Sequence, residues 1–288
     1  MPMQNHELEA LLELAVHEDF GENGDITTAA LFDNERCSAR LISKDTGILA
    51  GRSAFAQTFR YFDKNTEVRF HRNDGEVIAV GEHIASLQGK ARSVLGAERT
   101  ALNFLSFLSG IATQTHKAVS AAMEGGRAII LDTRKTMPGY RQLSKYAVKT
   151  GGGSNHRMGL YDMILIKDNH IDAVGSIAEA VKLTRRKWGS RYKIEVECRN
   201  LDEVKQALTQ KVDILMLDNM DTDLIKQAVA LAAGSLQLEA SGNMDLQQIR
   251  EISPTGVDYI SVGMLTHSVK AFDFSLQIEI EHEQREPT

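Results

Sequence analysis

The chain has 288 residues, 42% of them hydrophobic and 25% charged, a globular composition that excludes wholesale disorder. Its formal charge of −6 disfavours nucleic acid and anionic membrane as partners, and apolar runs such as 228–233 are too short to cross a bilayer. The opening MPMQNHELEA shows neither a basic nor an apolar leader region, and Cys37 and Cys198 form neither a disulfide framework nor a metal-ligand spacing, so the expected compartment is a reducing cytoplasm.

In chain order, residues 7–18 carry Leu8, Leu11, Leu12 and Ala15 at amphipathic helical spacing. Residues 36–92 read as short strands broken by glycines. Residues 93–123 read as one long helix with Leu102, Leu105, Leu108 and Ile111 near one face. From Arg127 the rhythm changes to strand followed by helix. The strands are AIILD (128–132), MILIK (163–167), IEVEC (194–198), DILMLD (213–218), LQLEAS (236–241) and DYISVG (258–263). Helices are expected over 176–188, 201–210, 222–233 and 245–252. Asn200 and either Asp221 or Thr222 are suited to cap two of them. Repeating β–α units with short loops make a parallel sheet, either an open doubly wound sheet or a barrel.

The strand ends favour the barrel. Asp132, Lys167, Glu197, Asp218 and Ser241 stand at or beside the ends of five strands, and Gly263 at the sixth. Parallel barrels gather these ends around one mouth, where active sites lie. Period-two alternation places Lys167 with Leu165, Glu197 with Glu195, and Ser241 with Glu239 on one surface, expected to be the lumen. A carboxylate buried there requires a partner, and Lys167, Arg134, a substrate or a metal could each supply one.

Charge is concentrated. The window 134–167 carries +6, leaving −12 for the rest of the chain. Its cations are Arg134, Lys135, Arg141, Lys145, Lys149, Arg157 and Lys167, set among glycines. A solvated basic face is the bland interpretation. The glycines, and their position beside a buried-looking strand, point instead to a hollow for a small polyanion. Within the window, DTRKT (132–136) follows a strand, and Arg134 can make two parallel bonds to a carboxylate or phosphate. GGGSNHRMG (151–159) allows backbone N–H groups to close on an anion, with His156 and Arg157 beside them. Glu197 and Asp218 suit magnesium or ribose hydroxyls. A glycosidase pair is the rival, discounted because basic surroundings lower a general acid's pKa. SGN (241–243) and SVG (261–263) follow the last two strands, where phosphate is often held. Both cysteines, and Met137, Met158 and the other methionines, read as packing residues.

These motifs resemble the quinolinate phosphoribosyltransferase family. The similarity is carried by LDTRKTMPGYRQLSKYAVKTGGGSNHRMGLYDMILIKDNHI (131–171), IEVEC with LDEV (194–204), DILMLDNM (213–220), LEASGNM (238–244) and TGVDYISVGMLTHSVKAFDFSL (255–276). DFGENGDITT (19–28) and GAERTALNFLSFLSGIAT (96–113) add to it. The resemblance implies an N-terminal α/β sandwich domain (1–112, with 268–288 returning to it) and an incomplete α/β barrel of about seven strands (113–267). It implies transfer of phosphoribosyl from 5-phosphoribosyl-1-pyrophosphate to quinolinate with loss of carbon dioxide, in NAD biosynthesis, with magnesium. It also implies a homodimer with shared active sites, or a hexamer built as a trimer of dimers. By the same resemblance Arg99 (from the partner copy), Thr133, Arg134, Lys135, His156, Arg157 and Lys167 bind the anionic substrates. Lys135, Glu197 and Asp218 are the catalytic group, and Glu197 and Asp218 face the metal through water. Ser241, Gly242, Asn243, Ser261 and Gly263 cradle the 5-phosphate.

Overall fold

The computed structural model describes residues 5–281; the last seven residues of the expected returning segment lie outside them. In chain order the elements are α1 (Asn5–Phe20), α2 (Ile26–Leu31), β1 (Arg36–Ser43), β2 (Gly47–Ile48), α3 (Arg52–Phe62), β3 (Glu67–Phe70), β4 (Val77–Ile78), β5 (His83–Lys90) and α4 (Ala91–Met123). There follow β6 (Ile129–Leu131), α5 (Arg141–Thr150), β7 (Ile164–Ile166), α6 (Asp168–Val174), α7 (Ile177–Trp188), β8 (Ile194–Cys198), α8 (Leu201–Leu208), β9 (Ile214–Asp218) and α9 (Thr222–Ala232). The last are β10 (Gln237–Ser241), α10 (Leu246–Ile252), β11 (Tyr259–Ser261), α11 (Met264–His267) and β12 (Phe274–Ile280). The chain divides into two compact units, one of residues 1–114, 142–151 and 269–288, the other of residues 115–141 and 152–268.

The first unit is built on an antiparallel sheet of order β12-β1-β5-β3. Along β1, Cys37, Ala39, Leu41 and Ser43 are buried while their neighbours are more exposed, the alternation of a sheet with one covered face. That face closes on Phe55 and Phe59 of α3 and Leu102 and Leu105 of α4. The two phenylalanine rings meet edge to face at 5.0 Å, a favoured aromatic geometry. The returning strand β12 pairs with β1 in register, Leu276 opposite Leu41.

The second unit is a six-stranded sheet of order β6-β11-β10-β9-β8-β7. Every pairing is parallel, and β8 is buried along its whole length, as expected for strands covered on both faces. The barrel is incomplete. Beyond β6 the chain continues only as a single parallel bridge from Leu131 to Ser154, so the expected seventh strand is reduced to one rung beside the glycine run. Helix starts follow their caps. Asn200 accepts from the amides of Asp202 and Glu203, and Asp221, not Thr222, accepts from Leu224 N at 2.8 Å.

Several sequence boundaries move. The strand expected over 128–132 contracts to Ile129–Leu131 because Asp132 turns to bind the following loop. Six further elements, α2, α3, α5, α6, α11 and β12, were not visible as separate elements in the sequence. Met137 is 52% exposed and Met123 74%, so neither fills a core gap. Cys37 and Cys198 are buried, and burial pushes the Cys198 thiol up to about 12. No helix among the described residues is long and apolar enough to cross a membrane.

Candidate active site

The register of the parallel sheet sets side chains in layers. Leu165 and Ile214 lie level with Glu195, Met216 lies level with both Glu197 and Glu239, and Ser241 is level with both Asp218 and Ser261. The upper layers open into a cavity of about 470 Å³. Its lining contains Thr133, Arg134, Lys135, His156, Arg157, Lys167, Glu197, Asp218, Ser241 and Ser261, joined by the apolar Leu165 and Met216. Ten residues expected at the site from the sequence therefore share one hollow at the C-terminal ends of the strands.

Gly242, Asn243 and Gly263 lie outside that lining, yet two of them shape it. A Cβ on Gly263 would stand 3.2 Å from Lys135 Cδ, so the glycine makes room for that lysine stem. Gly242 has φ +147 and sits against Asn219, whose own φ is 52, and asparagine tolerates this left-handed region better than most residues. Asn219 donates to Asp218 Oδ2 at 2.9 Å and was missed in the sequence; its place between Asp218 and a strand-ending loop was the available signal. Arg99 is exposed on α4 in the first unit.

Electrostatics single out the wall. Four cations, Arg134, Lys135, Arg157 and Lys167, face two carboxylates, Glu197 and Asp218. Lys167 Nζ donates to Glu197 Oε2 at 2.8 Å. Arg134 Nε is buried without a hydrogen-bond partner. Burial, and then the neighbouring Arg134 charge, hold the Arg157 guanidinium below its usual range. Crowded guanidinium groups with an unmet donor have the chemistry that suits an anion. Of the seven cations in the basic window, Arg141, Lys145 and Lys149 take no part in the lining. Arg141 instead ties loops together through Thr136 Oγ1 and the carbonyls of Met158 and Arg134, and Lys145 is 1% exposed.

The glycine-rich loop is pinned. Asp132, fully buried, accepts from His156 N at 3.0 Å and from Asn155 Nδ2 at 2.5 Å. Asp162 accepts from Met158 N and Gly159 N. The resemblance places His156 among the residues that bind the anionic substrates. In the structure its Nδ1 accepts the Arg157 backbone N–H at 2.7 Å, so that nitrogen carries a lone pair and the ring is neutral. Below the cavity lie Glu195 and Glu239, at most 1% exposed. Burial raises the Glu195 carboxyl to about 7. Burial, and then the Glu195 charge, raise that of Glu239 to about 8.

Comparisons with known proteins match this architecture. Residues 25–109 fit the family described as quinolinate phosphoribosyl transferase, N-terminal domain, and residues 111–277 fit its C-terminal domain. A Bacillus subtilis protein named "Probable nicotinate-nucleotide pyrophosphorylase [carboxylating]" is 42% identical over 284 residues, 99% of this chain and 98% of that one. The solved structure of NadC from Streptococcus pyogenes superposes with a TM-score of 0.93 at 38% identity, covering 98% of this chain and 100% of the other. The nicotinate-nucleotide pyrophosphorylase of Francisella tularensis superposes with a TM-score of 0.90 at 42% identity, covering 96% and 97%.

Proposed function

The chain belongs to the quinolinate phosphoribosyltransferase family, and on that premise we propose how its barrel mouth carries out the family's reaction. The enzyme transfers phosphoribosyl from 5-phosphoribosyl-1-pyrophosphate to the ring nitrogen of quinolinate. It releases pyrophosphate and carbon dioxide and forms nicotinate mononucleotide for NAD biosynthesis. The observation that carries the residue assignment is the crowding of Arg134 and Arg157 in one cavity, with Arg134 Nε unmet.

Quinolinate has two adjacent carboxylates, and holding them out of water requires several fixed cations. Arg134, Arg157 and Lys167 take this part, with Thr133 and His156 in the same wall and Arg99 contributed by a second copy of the chain in a homodimer. Lys135 stands between the two substrates, toward the pyrophosphate. Ser241, Gly242, Asn243, Ser261 and Gly263 form the cradle for the 5-phosphate. The two domains of this assignment are residues 1–112 with 268–288, and residues 113–267.

Glu197 and Asp218 offer only oxygen donors, which suits magnesium, a hard cation that keeps several waters. They would hold it through water beside the ribose hydroxyls; when bound it offsets charge on the departing pyrophosphate. The two carboxylates also face the anomeric carbon, where positive charge develops as the pyrophosphate leaves. Lys167 limits the free charge of Glu197 until substrate enters. Once the ring nitrogen is alkylated it is cationic and stabilises the electron pair that stays on the adjacent ring carbon when the 2-carboxylate departs as carbon dioxide; a proton ultimately drawn from water then fills that position and gives nicotinate mononucleotide. Positioning supplies the catalysis, and no covalent enzyme nucleophile is needed. We place the enzyme in the cytoplasm, with which the unpaired, buried Cys37 and Cys198 are compatible. The test is release of labelled carbon dioxide from 2-carboxyl-labelled quinolinate. Release that depends on the sugar pyrophosphate supports the assignment, and its absence with folded protein refutes it.

A further inference from the structure

The two carboxylates below the pocket have no part in that scheme. Glu195 and Glu239 come from β8 and β10, and their side chains are 0% and 1% exposed. Both oxygens of Glu195, and Oε1 of Glu239, are buried without a hydrogen-bond partner. His156 Nε2 stands 3.2 Å from Glu195 Oε2 and 3.5 Å from Glu239 Oε2, in a side chain only 7% exposed. The opposite ring nitrogen, Nδ1, takes the Arg157 backbone N–H at 2.7 Å. A backbone amide can only donate, so Nδ1 is unprotonated, and the proton of the neutral ring lies on Nε2, facing both carboxylates.

We propose that Glu195 and Glu239 are positioning residues that act through His156. Their carboxylates flank Nε2 at ion-pair distance, favour the proton on that nitrogen, fix the tautomer, and so present Nδ1 as the acceptor that sets the Arg157 backbone and its guanidinium at the pocket wall. The inference rests on the assignment of Arg157 to the dicarboxylate substrate. Arg157 is also held by its Nη1 on the Met163 carbonyl at 3.3 Å, a long contact, and by the attraction of Glu195 and Asp162, so its placement depends on the backbone together with these charges. His156 N in turn is held by Asp132, so the ring is clamped from the main chain as well as from below. One histidine with two carboxylates also has the composition of a divalent-cation site. The tautomer argues against that use, because the nitrogen facing the carboxylates carries the proton and has no lone pair for a metal.

The first experiment uses no substrate. The full chain, labelled with ¹⁵N-histidine, is examined by NMR at neutral pH, with His156 assigned by its loss in His156→Asn. The expected signature is the neutral Nε2–H tautomer; an imidazolium or an Nδ1–H tautomer overturns the proposal. The second experiment is kinetic. Glu239→Gln and Glu195→Gln, with folding checked by circular dichroism, are expected to raise the KM for quinolinate about tenfold while kcat and the KM for the sugar pyrophosphate stay within about twofold. His156→Asn, whose amide oxygen can accept the Arg157 N–H, is expected to recover part of what His156→Ala loses. Folded Gln variants with unchanged KM overturn the proposal, as does one tightly bound metal ion per chain that Glu239→Gln abolishes. If the wild-type enzyme fails to convert quinolinate, the functional assignment falls while the tautomer can still be read.

Discussion

The antiparallel sheet and the parallel barrel handle polar groups in opposite ways. The sheet unit buries a continuous apolar cluster including Leu41, Phe55, Phe59 and Leu105. The barrel carries carboxylates in its interior. Glu195, Glu197 and Glu239 are each at most 6% exposed, and two of them retain oxygens without hydrogen-bond partners. Such groups lower stability. The contrast teaches that the barrel's interior is arranged for electrostatics at its mouth, whereas the sheet's interior is arranged for packing.

The largest effect expected from this contrast is pH dependence of barrel stability. Burial, with each carboxyl facing the other, holds the Glu195 and Glu239 pair well above the 4.5 of an ordinary glutamate when folded, to about 7 and about 8. Between these values the folded state binds more protons at these two groups than the unfolded one, so their contribution to stability is full below about pH 4.5 and is lost as pH rises toward 8. Urea midpoints for the barrel transition at intervals across that window should decline, and Glu239→Gln should flatten the decline. A midpoint rising with pH in the wild type, and unchanged by the substitution, would remove the distinction between the two interiors.

Next comes the apolar side of the comparison. Phe55→Ala leaves a hole among fully buried side chains and should cost about 3–5 kcal/mol. Denaturant unfolding measures the loss, while kcat per folded molecule should hold. Arg134→Ala reverses the pattern. It removes a crowded cation from the cavity wall and should lower kcat/KM for quinolinate about 10²- to 10³-fold, with little change in the urea midpoint. Near-normal turnover at low quinolinate would remove Arg134 from the dicarboxylate site.

The two interiors were also unequally legible in the sequence. The barrel strands stood out because their apolar runs recur with short helices between them, and period two correctly grouped Glu195 with Glu197 and Glu239 with Ser241. The partner of the deeper pair could not be read. His156 arrives from a loop some forty residues before β8 in the chain, and only three-dimensional closure gives its ring two carboxylates and an amide. Charge counting likewise grouped Lys145 with Arg134, because composition does not distinguish a lysine buried in α5 from one at a cavity wall. The strand β12 was obscured because its alternating FSLQIEI acquires meaning only when paired with β1, more than two hundred residues away in sequence.

The smallest effect expected tests whether barrel strain is confined to the mouth. Among the described residues, two non-glycine positions have positive φ, Asn219 and Ala233. Asn219 is at the site and is held by its bond to Asp218. Ala233 caps the C-terminal end of α9 with φ 47 and ψ 35, where a Cβ is disfavoured and glycine is the usual residue. Ala233→Gly should therefore stabilise the barrel by up to about 1 kcal/mol, read as a higher urea midpoint, with kinetics unchanged. The equivalent change at Asn219 removes the Asp218 contact as well as the strain, so it should lower kcat even where it raises the midpoint. If both substitutions altered only stability, the left-handed turn beside Asp218 would be a folding detail with no hold on the catalytic carboxylate.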